Sequence, residues 1–164
     1  MRKVIVGILV LLMMFAAAGC SGGDGGKSNE ESGNTEFAAA DLAGYINDNI
    51  EFTDFMDVVE NDILFKVYSI DKENVSDACA YFSTGATAEE IAVVTAAGKA
   101  EADGIEEAYR KRIESQKEGF ENYVPGELVK LESPAVIRTG NSVIMVVCDD
   151  SEKAREVVSE YLNK

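Results

Sequence analysis

Histidine is absent from all 164 residues. This removes at once the commonest general base and the commonest metal ligand, so no imidazole is available to activate a serine or hold an ion. Basic residues are scarce as well: 15 Lys and Arg stand against 30 Asp and Glu, a net charge of −15. A chain of that sign lacks the basic footprint that nucleic acid requires, and it repels anionic lipid heads and wall polymers. Cationic or neutral partners, or divalent cations, are favoured, although acidity also serves simply to keep a protein soluble. Cysteine is limited to three positions, Cys20, Cys79 and Cys148. Long apolar runs are missing everywhere except at the very start.

That start reads Met1-Arg2-Lys3, an apolar run from Val4 to Phe15, then Ala16-Ala17-Ala18-Gly19-Cys20. A positive n-region, an apolar stretch of about a dozen residues and small residues at a cut site describe a secretory signal peptide. The run is shorter than the ~20 apolar residues of a membrane span. Ala17-Ala18-Gly19-Cys20 resembles the lipobox of bacterial lipoproteins, with Ala17 where leucine is commoner. The resemblance implies lipidation of Cys20, with residues 1–19 removed as a signal peptide. Two acyl chains hold a protein stably at a bilayer where one does not. The expected address is therefore the outer, extracytoplasmic face of the cell membrane. Loss of Arg2 and Lys3 would leave 13 basic against 30 acidic groups, a net −17.

Residues 20–35 follow as a lipidated Cys and a tether. Ser21 to Thr35, SGGDGGKSNEESGNT, contains no apolar side chain and cannot bury enough surface to offset its ordering entropy. A flexible leash with an end-to-end distance of roughly 20 Å is expected. Residues 36–164 then leave enough chain for one extracytoplasmic domain with a real core.

Within that domain, helical spacing appears over Ala38–Ile50, where Leu42, Tyr45, Ile46 and Ile50 share a face. Asp54–Val67 is apolar but irregular and reads as short helical turns. Asp77–Ser83 and the β-branched Glu90–Ala96 read as strands joined by the turn Ser83–Thr87. Lys99–Tyr123 is predicted as the longest helix, with Ile105, Tyr109, Ile113 and Phe120 inward, i,i+4 pairs Glu106/Arg110 and Glu107/Lys111 outward, and Pro125-Gly126 as its stop. Gly140-Asn141 between Ala135–Thr139 and Ser142–Cys148 is a two-residue hairpin signal. Asp149 or Asp150 caps a last helix bearing Ala154, Val157, Val158, Tyr161 and Leu162. Two hairpins, each followed by a helix, predict an α+β fold: a four-stranded antiparallel sheet with helices packed on one face. Cys79 and Cys148 lie in apolar contexts. Export would permit a bridge, but their surroundings favour two buried thiols.

Three segments carry a family resemblance: STGATAEEIAVV (Ser83–Val94), RIESQKEGFENYVP (Arg112–Pro125) and KLESPAVIRTGNSVIMVVCDD (Lys130–Asp150). From about Leu42 to Leu162 the chain resembles a family of small, uncharacterised bacterial lipoproteins, domain-of-unknown-function family 4358. The resemblance implies a lipid-anchored extracytoplasmic domain and carries no activity, cofactor or site.

Chemistry is sparse. Thr84, Gly85 and Thr87 sit in a hydroxyl-rich turn that could form an anion-binding nest, or be an ordinary turn with hydroxyl-to-backbone bonds. Arg112 and Gln116 fall on or beside the apolar stripe of the long helix, where polar groups must find partners. The sheet or the Tyr123–Pro125 corner could supply them, and Arg112 would anchor any ligand bound there. The acidic clusters (54/57/60/62, 101/103/106/107, 149/150/152) lack the EF-hand spacing and read as solvated faces. No catalytic set, metal site or cofactor signature emerges. The reading that remains is a membrane-anchored, non-catalytic binding or interaction module with an envelope protein as one candidate partner. The alternatives are a small envelope hydrolase using carboxylates and a weak divalent-cation binder.

Overall fold

A computed structural model describes residues 37–164, so the expected signal peptide, Cys20 and tether lie outside the described residues. The architecture follows from how apolar residues are distributed along two strands. β3 (Glu90–Ala96) and β5 (Ser142–Val147) are buried almost throughout. Because successive strand residues face opposite sides, they must be covered on both. Ile91, Val93, Ile144 and Val146 enter one core, and Ala92, Val94, Val143, Met145 and Val147 enter another.

The sheet has five strands in the order β1-β2-β3-β5-β4, all neighbours antiparallel. β2 (Val75–Phe82) pairs with β3, and β4 (Ala135–Thr139) with β5. The α+β class is as expected, but two details are corrected. A fifth strand, β1 (Asp57–Val58), pairs Asp57 with Phe82 and Val58 with Tyr81 at the edge. It falls inside the stretch read as helical turns, of which residues 61–67 belong to α2 (Asn61–Tyr68). The helices also cover both faces instead of one. α1 (Ala39–Asn49) and α5 (Ser151–Leu162) share the first core, while α2 and α3 (Lys99–Glu121) share the second with α4 (Leu128–Glu132). One-sided covering would have left half of β3 and β5 facing water.

Local signals explain the element ends. Ala38 has no capping side chain for α1, and the Asp77 carboxylate of β2 accepts from Ala39 N at 2.7 Å instead. Asp150 caps α5 by accepting from Lys153 N. The hairpin turns at Gly140, in the left-handed region at φ 56°, with Thr139 opposite Ser142 as that turn requires. Arg155 of α5 donates to the carbonyls of Pro134 and Val136, blocking part of the outer edge of β4 against further strand pairing. No helix among the described residues is long and apolar enough to cross a membrane.

Cys79 and Cys148 are free, buried thiols in the core beneath α1 and α5. β3 runs between β2, which holds Cys79, and β5, which ends one residue before Cys148, so two interstrand steps of roughly 4.8 Å each separate them. A disulfide reaches only about 7 Å between Cα atoms. Burial pushes the Cys148 thiol up to about 11, and burial followed by the Asp77 charge raises Cys79. Both should therefore resist iodoacetamide at pH 8 in the native chain and alkylate readily in denaturant. Native labelling as fast as that of a free thiol, read by mass spectrometry, would contradict this placement.

Candidate functional site

The site lies where β2 ends at Phe82 and β3 begins at Glu90. Two adjacent glutamates, Glu89 and Glu90, are each about 99% buried there. Burying a carboxylate is costly unless it is paired and hydrogen-bonded, and each has recruited a separate set of partners.

Glu90 faces α2 and α3. The Arg112 guanidinium engages it as a fork, with Nη2 at 2.7 Å and Nε at 3.2 Å from Oε2. The Tyr68 hydroxyl and the Gln116 amide also donate to it. Arg112 keeps its charge: burial opposes it, but the bonds and charge of Glu90 raise its pKa above the ordinary value. Burial, then the Glu90 charge, lifts Tyr68 well above the usual phenol range, so its proton stays in place to donate.

Glu89 reaches the segment between α1 and β1 and the short helix α4. It accepts from the backbone N–H groups of Thr53 and Asp54 at 2.9 Å and from the Thr87 hydroxyl at 3.0 Å. Lys130 of α4 donates to it at 3.0 Å. Lys130 also pairs with Glu127 at 3.1 Å, whose carboxylate accepts from Ala88 N. Burial pushes the Glu89 carboxyl up, yet the four donors outweigh it and hold the pKa below the ordinary value. Lys130 is shifted up, burial being outweighed by its bonds to Glu89 and Glu127.

The intervening turn is tied down internally. Gly85 adopts φ 92°, which a side chain would strain. Thr84 donates both its N–H and its hydroxyl to Asp54. This bond is the leading reason that the Asp54 carboxyl is held low. Ser83 donates its hydroxyl to Thr87 O. At Thr84 the position considered from sequence for an anion is taken by the chain's own Asp54 carboxylate.

Above Glu90 lies a cleft of about 440 Å³. The turn forms one wall and the face of α3 from Arg112 to Phe120 the other, and the exposed Tyr123 also lines it. Thr84, Gly85, Thr87 and Arg112, the four candidates singled out in the sequence, all line it. Gln116, expected to need a partner, has one on its amide nitrogen only. Its Oε1 is the one buried side-chain polar atom among the described residues with no hydrogen-bond partner, and the residue is 92% buried. Arg112 Nη1 likewise makes no hydrogen bond among the described residues.

Sequence reasoning missed Tyr68, Glu89, Glu90 and Lys130. Glu90 begins the strand and Glu89 precedes it, so alternation turns them to opposite sides, but their burial depends on the covering of both faces, which the one-sided expectation excluded. Lys130 sits between apolar Val129 and Leu131 in α4, beyond the Pro-Gly taken as the helix stop.

The arrangement defines a class: an α+β domain with a cleft between a strand-connecting turn and the longest helix, floored by a buried ion pair. The family model described as Domain of unknown function (DUF4358) matches residues 40–148. This is more than half of the chain, and the protein belongs to that family. No curated protein and no solved structure matches it.

Proposed function

We propose that this protein is a non-catalytic binding module, held by lipid on Cys20 at the extracytoplasmic face of the cell membrane, with the cleft above Glu90 as its ligand site. The observation that carries the ligand site is the unpaired, buried Oε1 of Gln116, a residue that lines that cleft. A buried acceptor without a donor costs about 1–3 kcal/mol, which a ligand donor would offset. The anchor rests on the N-terminal sequence: Arg2-Lys3, the apolar run and the small residues before Cys20.

The hydrolase alternative is not favoured by the site. A carboxylate acting as general acid needs a raised pKa and a free oxygen. Glu89 is shifted down, and Glu90 is engaged by three side chains. For the cation alternative, no grouping of three acidic or thiol side chains placed to hold an ion occurs among the described residues.

Two measurements test the reading. Cells fed an alkyne fatty acid should label the chain, and Cys20→Ser should abolish the label. Labelling that survives the substitution, or is absent from the unaltered chain, removes the anchor. A fragment panel screened by thermal shift and proton NMR should then give hits that stabilise the chain and remain chemically unchanged. Steady conversion of a hit to product would replace the binding module with an enzyme.

A further inference from the structure

We infer that the ligand of this cleft is a neutral saccharide; the inference rests on the binding-module reading above and gives it a substrate class. It follows from counting which hydrogen-bonding groups remain unused, and of what sign. The hydroxyl protons of Ser83, Thr84 and Thr87 are directed to Thr87 O, Asp54 and Glu89. Their oxygens keep lone pairs that can accept. Gln116 Oε1 is a further acceptor, buried and unfilled. On the donor side stand Arg112 Nη1, the Ser115 and Tyr123 hydroxyls and the backbone N–H groups of Gly85 and Thr87, all lining the cleft and none with a partner among the described residues. The complementary ligand therefore brings several donors and several acceptors.

Charge narrows the class. Arg112 and Glu90 cancel at 2.7 Å, so the cleft floor offers no net attraction to an anion, and the net charge of −15 opposes one. An ammonium donating to Gln116 Oε1 would have to sit beside the Arg112 guanidinium, at a Coulombic cost. A neutral ligand suffers neither penalty.

Shape completes it. The rings of Phe82, Phe120 and Tyr123 line the same cleft, and Tyr123 is 66% exposed, an aromatic face left in water. Phe120 and Tyr123 lie with centroids 6.1 Å apart. A sugar ring carries an apolar C–H face and a rim of hydroxyls that each donate and accept, which matches an aromatic wall beside unused donors and acceptors. An amide offers one donor and one acceptor per unit, fewer than the unused groups of both kinds that line the cleft. The volume, about 440 Å³, lies in the lower part of the ~300–1,000 Å³ range of small-ligand sites.

Gly119 lines the cleft on α3, although glycine in a helix is less stable than alanine by roughly 0.5–1 kcal/mol. A Cβ there would meet nothing within 4 Å, so a side chain at this position starts in open space beside the cleft. Gly119→Leu is accordingly a blocking variant expected to keep or raise Tm.

The experiment is saturation-transfer NMR on the full chain carrying Cys20→Ser. Its probes are neutral mono- and disaccharides (glucose, galactose, mannose, N-acetylglucosamine, maltose, cellobiose), with N-acetylalanine amide and ethanolamine for comparison. At least one saccharide should bind, and Gly119→Leu should weaken it tenfold or more without lowering Tm. Saccharide binding that Gly119→Leu leaves intact would overturn the assignment to this cleft. Binding of the amide or the amine alone, lost in Gly119→Leu, would overturn the saccharide and leave the binding-module reading standing. No binding by any probe would overturn the saccharide and count against the cleft as a ligand site.

Discussion

Lys130→Met is expected to lower the stability of the domain by about 3–5 kcal/mol, the range for breaking a buried ion pair from one side. For a domain of this size that is a fall in Tm of roughly 10–20 °C. Lys130 is 7% exposed, and its ammonium is the only cation bonded to Glu89 among the described residues. Methionine fills most of the volume but leaves a carboxylate with neutral donors alone, from Thr53, Asp54 and Thr87. The pH dependence separates this cause from simple loss of packing. In the native chain the Glu89 pKa is lower folded than unfolded. Its contribution is thus complete above the unfolded value and lost as pH falls through the folded one. Without Lys130 the buried carboxyl titrates higher, so the deficit of Lys130→Met should narrow as pH approaches 4. At the other end, the raised pKa of Lys130 means its share persists below the unfolded value and is lost as pH rises through the folded one. Chemical denaturation from pH 4 to 8 reads this directly, and a pH-independent deficit would show that packing, not charge, was removed.

Arg112→Met is expected to destabilise by a similar amount, about 3–5 kcal/mol, because Glu90 then stays buried with only Tyr68 and Gln116 to bind it. Glu90→Leu removes the other partner. Arg112 retains 27% side-chain exposure and can turn toward water, so this loss should be the smaller one, nearer 2–3 kcal/mol. Replacing both should cost less than the two singles added. Buried pairs exchanged for apolar side chains often leave stability unchanged, and contacting residues typically couple by 0.5–3 kcal/mol. A coupling of about 2 kcal/mol is expected from a double-mutant cycle by urea unfolding. Strict additivity would mean that the fork does not stabilise the fold.

The elements that could be read without coordinates share one property: their signal is local. The Gly140-Asn141 hairpin, the α3 stripe from Ile105 to Ile113 and the Asp150 cap are each specified by residues within a few positions of one another. β1 is two residues long, too short to show alternation, and exists because Ala80 O and the end of β2 offer it partners. One-faced covering was expected, yet the unbroken apolar runs Ile91–Val94 and Val143–Val147 already belong to strands buried on both sides.

The candidate site divides along the same line. Composition and spacing by themselves determined the α+β class, the absence of any imidazole chemistry, the hydroxyl turn with its Gly85 and a polar Arg112 on an apolar helix face. Tertiary structure alone decided that Arg112 and that turn, 28 positions apart at Thr84, become two walls of one cleft. It also decided that Glu89 and Glu90 are buried and not simply polar residues leaving a strand. The reason is physical: whether a charge at the end of a strand faces water depends on what covers that end. Here Tyr68 of α2, Arg112 of α3 and Lys130 of α4 cover it, each brought there by burial of apolar neighbours and not by any pattern around the glutamates themselves.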